Sequence, residues 1–60
     1  MYRFIAHYIN MDTDAVITRN IEIDGQFFEN EHDIYLYAMS RAYSMKNENE
    51  LFYSIEFICS

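Results

Sequence analysis

A single cysteine in sixty residues removes the disulfide from the means by which this chain can hold itself together. A domain this short hides only about 60% of the surface that its unfolded form exposes, so its core is thin. Such domains usually draw extra stability from a disulfide, a metal or a partner, and Cys59 has nothing in the chain to pair with. A lone thiol points to a reducing compartment, where Cys59 reads as a small apolar residue. The start, Met1-Tyr2-Arg3-Phe4, lacks a signal-peptide pattern, and no apolar run nears the ~20 residues of a membrane span. The expectation is one domain over residues 1–60, cytoplasmic and without membrane contact.

The apolar fraction of 52% separates the chain from disordered acidic tails. Six Tyr and five Phe are a heavy load for one small core, and tyrosine can stand in an interface with its hydroxyl wet. Ten acids against four bases give a net charge of −6, which disfavours direct contact with nucleic acid or an anionic membrane. No Lys or Arg lies between Arg19 and Arg41, a stretch that holds Glu22, Asp24, Glu29, Glu31 and Asp33. Those acids read either as a solvated turn and helix start, or as a negative patch aimed at a basic protein surface.

The chain has no proline, one glycine and no repeat, so every stretch should belong to the fold. Residues 2–9 are rich in β-branched and aromatic types and predict a strand with Phe4, Ala6 and Tyr8 on one face. Asn10-Met11-Asp12-Thr13-Asp14 is turn-like, because Asn and Asp side chains bond nearby backbone N–H groups. Residues 15–24 alternate, Ile17, Ile21 and Ile23 sharing a face on which Arg19 is the exception. Gly25 follows Asp24 and can supply a positive φ. Asn30 is a credible N-cap, with Glu31 and Asp33 opposing the helix dipole, and the helical pattern runs over 31–46. Ile34, Tyr35, Ala38, Met39, Ala42 and Met45 share its core side, while Leu36 and Tyr43 widen the apolar arc beyond what one sheet covers. Residues 50–58 predict the third strand, with Leu51, Tyr53, Ile55 and Phe57 on one face.

The order β-β-α-β predicts an α+β fold, a three-stranded antiparallel sheet in order 2-1-3 with one helix packed on one face. The alternative sets the third strand parallel beside the second and needs a tight crossover. With the helix on the Phe4 face, Ile5, Ile9, Val16, Phe52 and Ile58 fall on the other side, a self-association surface through which a homodimer would form.

Catalytic chemistry finds little to stand on. One helix on three strands rarely encloses a cleft, no serine sits in a glycine-flanked elbow, and one glycine cannot build a phosphate loop. His32 lies near Glu29, Glu31 and Asp33, yet only Glu29 and Asp33 share a helical face, and Asp12-Thr13-Asp14 lacks the rest of a calcium loop. The pairs Asp12/Asp14 and Glu48/Glu50 read as solvated strand ends. No catalytic residue, metal or cofactor is therefore expected. The expected function is stoichiometric binding: Glu22, Asp24, Glu29, Glu31 and Asp33 steer the chain onto a basic or nucleic-acid-handling protein, and Phe27, Phe28, Tyr37 and Tyr43 anchor it. In composition, though in no motif, this resembles phage and mobile-element inhibitors of host defence enzymes, anti-CRISPR proteins among them. The second expectation is a self-assembling structural or accessory component.

Overall fold

The computed structural model describes every residue, Met1–Ser60. Strand β1 spans Tyr2–Asn10, β2 Val16–Ile23, helix α1 Glu31–Ser44 and β3 Glu50–Cys59, with one 3-10 turn at Gly25–Phe27. The sheet is antiparallel throughout and ordered β2-β1-β3, as chain direction in the order β-β-α-β predicts.

The β1–β2 turn is fixed by Asn10. Its side-chain oxygen accepts from the Asp12 and Thr13 N–H groups at 2.9 and 3.2 Å, and its N–H donates to the Ala15 carbonyl at 2.9 Å. Asp14 closes the turn at φ 61°, in the left-handed region that Asp tolerates better than most residues.

Helix α1 starts where the Asn30 side chain accepts from the Asp33 N–H at 3.0 Å. It buries a narrow stripe, Ile34, Ala38 and Ala42, spaced four residues apart. The two alanines let the helix lie close to the sheet. Close approach is what allows the Tyr8 hydroxyl, rising from β1, to donate to the Ala42 carbonyl at 2.7 Å. That carbonyl lies in the last turn, where helical partners run out, so the sheet caps the helix. The helix ends at Ser44, two residues short of the sequence expectation. Met45 is its C-cap, and the Lys46 backbone N–H donates to the Tyr43 carbonyl in a tighter i to i+3 bond of 3.4 Å.

The core comprises Phe4, Ala6, Tyr8, Ile21, Ile23, Ile34, Ala38 and Ala42. Phe4 and Tyr8 are its largest fully buried side chains, each worth about 1.5–3 kcal/mol of hydrophobic stabilisation. Tyr35 and Met39, predicted on the core side, lie at its edge, while Met45 packs against it. The surplus aromatic arc finds partners around this centre. Tyr35 meets Phe4 edge-on at 5.2 Å and Phe57 at 5.8 Å, and Tyr43 meets Phe52 edge-on at 4.8 Å.

Strand β3 corrects the sequence expectation. Its register against β1 slips between Arg3 and Phe4 and between His7 and Tyr8, where β3 carries the extra residues Ile58 and Tyr53. Each bulge breaks the two-residue alternation. Beyond Tyr53, Phe52 and Glu50 turn to the helix side, and Leu51 pairs with Ile9 on the open face. Phe52, expected on the open face, instead packs on Tyr8 at 5.7 Å, and Leu51 and Tyr53 leave the core.

Candidate protein-binding surface

The larger of two surface depressions forms where β2 leaves the sheet. Asp24 caps the 3-10 turn: one carboxylate oxygen accepts from the Gln26 N–H at 3.1 Å, the other from the Gln26 amide at 2.8 Å. The Phe28 N–H then donates to the Gly25 carbonyl at 3.1 Å, which tightens the chain and sets the two phenylalanines apart. Phe28 turns inward against the core and meets the Tyr37 ring at 5.4 Å. Phe27 is left 79% exposed. Glu22, Ile23, Asp24, Phe27, Phe28 and Tyr37 line the resulting open cleft of about 420 Å³.

Five of the nine residues expected to bind a partner therefore meet in one place: Glu22, Asp24, Phe27, Phe28 and Tyr37. Glu29, Glu31 and Asp33 are exposed at the start of α1, outside the cleft lining. Glu31 accepts from the Tyr2 hydroxyl at 3.5 Å, and burial together with that carboxylate pushes the Tyr2 phenol above its usual value. Tyr43 lies near the other end of α1, packed on Phe52, and takes no part in the cleft. Glu22 faces Arg3 across the strand pair at 3.7 Å, a loose pair with both side chains more than half exposed.

The open sheet face is less uniform than the sequence implies. Val16, Ile9 and Leu51 form one aliphatic row across all three strands. Ile5 and Ile58 lie apart from it, in a depression of about 170 Å³ that also holds Arg3, Asn20 and Glu22. Between these regions runs the polar row Thr18, His7 and Ser54, with the His7 Nε2 3.3 Å from a Glu56 carboxylate oxygen. Phe52 is absent from this face, because the bulge at Tyr53 turns it onto Tyr8.

One polar cluster escaped the sequence reading. Glu50, expected as a solvated strand end, is 3% exposed and accepts from both terminal nitrogens of Arg19 at 2.7 and 2.8 Å. It also accepts from the Asn47 N–H at 2.8 Å, and the Arg19 guanidinium lies 4.7 Å from the centre of the Tyr8 ring. The legible signal was Arg19 itself, because a guanidinium on an apolar face requires a carboxylate on that same face. With Arg19 and Asn47 bound to it, and both cavities elsewhere, this cluster holds the fold closed.

No group of three or more His, Cys, Asp or Glu side chains converges in a way that could hold a metal ion. No helix is long and apolar enough to cross a membrane. No protein-family model matches the chain, and neither a curated protein nor a solved structure matches it.

Proposed function

We propose that this chain is a cytoplasmic binding module that occludes, in a stoichiometric complex, a basic surface on another protein, one that handles nucleic acid. The observation that carries the reading is the cleft in which the exposed Phe27 ring stands beside Glu22 and Asp24. A large ring held in water and rimmed by carboxylates is suited to anchor a cationic surface, with the charge speeding encounter and the ring supplying contact area. Glu29, Glu31 and Asp33 extend the negative field along the chain and act as steering charges. Binding, and not catalysis, is the mode of action: the one buried ion pair, Arg19 with Glu50, is already engaged within the fold. The target class follows from charge complementarity, and a host defence enzyme, as for anti-CRISPR proteins, is the case that composition favours.

The test is retention of a partner from native host extract by the immobilised chain, followed across a salt series. Retention should fall steeply with salt, disappear when Glu29, Glu31 and Asp33 are all changed to Lys, and drop for Phe27→Ala. Retention indifferent to salt would sink the charge-steered version.

The row Val16, Ile9 and Leu51 favours a second reading, self-assembly into a homodimer through the open face. Sedimentation at several concentrations separates the two. A strict monomer at high concentration removes self-assembly and leaves that row to a foreign partner.

A further inference from the structure

We propose that the cleft beside β2 receives one arginine side chain of the partner, stacked among Phe27, Phe28 and Tyr37 with its guanidinium at the carboxylates of Asp24 and Glu22. The inference rests on the reading of the chain as a binder of basic protein surface, and it names the group that is gripped.

Arginine is planar and weakly hydrated, so it can lie against an aromatic ring while its edge donates to carboxylates. The molecule already uses this arrangement on itself. Arg19 lies 4.7 Å from the centre of the Tyr8 ring while two of its nitrogens bond Glu50. In the cleft the same two kinds of group recur, ring and carboxylate, and no cation of the chain fills the space between them. Arg3 reaches only Glu22, loosely, and Asp24 has no cationic partner. Each Asp24 oxygen accepts a single bond from Gln26, and a carboxylate oxygen has room for two.

The alternatives fit less well. An apolar side chain seated here would strip water from two carboxylates and give them nothing in return. A lysine is a compact, strongly hydrated charge that cannot fork to both carboxylates from against a ring. The volume, about 420 Å³, is of the size that accepts a small ligand or a long side chain and not merely a water.

The probe is a short blocked Gly/Ser peptide carrying a single arginine, titrated into the intact chain while side-chain NMR resonances are followed. Matched peptides carry citrulline or lysine at the same place. The arginine peptide should move the Phe27, Phe28 and Tyr37 ring resonances and bind about tenfold more tightly than the citrulline peptide, which keeps the shape and loses the charge. Phe27→Ala should weaken it about tenfold, and Asp24→Asn, which keeps an acceptor for the Gln26 N–H, should weaken it as well. Thermal midpoints of both variants confirm that the fold is kept. Equal binding of the citrulline or lysine peptide overturns the proposal. Shifts confined to Glu29, Glu31 and Asp33 overturn it too, while leaving the basic-surface reading in place. If no cationic peptide binds at any site, both fall together.

Discussion

Arg19 on β2 and Glu50 on β3 form a two-pronged ion pair, at 2.7 and 2.8 Å, although their strands are not neighbours in the sheet. They meet across β1, over the ring of Tyr8. The Arg19 hydrogen bonds first, and the Asn47 N–H second, hold the Glu50 carboxyl down to about 2 from an ordinary 4.5. A carboxyl lowered by folding stabilises the fold fully above its unfolded value and loses that contribution as pH falls through the folded one. Thermal unfolding followed from pH 5 down to about 2 should therefore show a falling limb that Glu50→Gln flattens. Equal acid sensitivity in the variant would show that other carboxylates set the limb.

The same pair makes a second prediction by subtraction. Arg19→Met alone strands a buried carboxylate, whereas Arg19→Met with Glu50→Leu removes both charges and leaves apolar volume. The double variant should melt above the single one. A double variant that melts below Arg19→Met would mean that Glu50 stabilises the fold through the Asn47 N–H even without its guanidinium.

The bulge at Tyr53 sets up a contrast between neighbours. Phe52→Ala removes a ring packed on both Tyr8 and Tyr43 and should cost about 2–4 kcal/mol in denaturant unfolding. Tyr53→Ala removes a half-exposed ring outside the core and should cost about 1 kcal/mol or less. A reversed order would mean that β3 keeps strict alternation.

Gly25 is required for space and not for backbone freedom, because its φ is not positive. A Cβ there would lie 2.6 Å from the Tyr2 ring and 3.4 Å from Ile34. Gly25→Ala should cost about 1–3 kcal/mol, and pairing it with Tyr2→Ala should return part of that in a double-mutant cycle.

Asn30→Ala deletes the bond to the Asp33 N–H and should cost about 1 kcal/mol, a fall of roughly 4–8 °C in melting temperature.

Local chemistry was legible in the sequence. Asn10 and Asn30 were expected to act through short side chains on nearby N–H groups, and both do. Strand order followed from chain direction, and the Ile34, Ala38 and Ala42 stripe from helical spacing. What could not be read was an event without a local residue signature, the bulge at Tyr53. Tyr53 is an ordinary strand residue, and its displacement is decided by what Phe52 and Glu50 gain on the far side: a place against Tyr8, and the guanidinium of Arg19. The cleft was half legible. Its acids and aromatics stand out in the sequence, but only the 3-10 turn brings Phe27 and Tyr37 to one place and leaves Tyr43 elsewhere.

Central β1 has a consequence for how a growing chain acquires this structure. One flank of β1 is satisfied early by β2, through a short hairpin, but the other waits for β3, and contacts such as His7 with Glu56 close loops of 49 residues. Long closures of this kind slow folding. Until β3 emerges during synthesis, β1 offers an unpaired edge, and Tyr8 and Phe4 lack the cover of Phe52 and Phe57. The nascent hairpin is thus the species most exposed to wrong pairing and proteolysis, and the arrival of β3 ends that window.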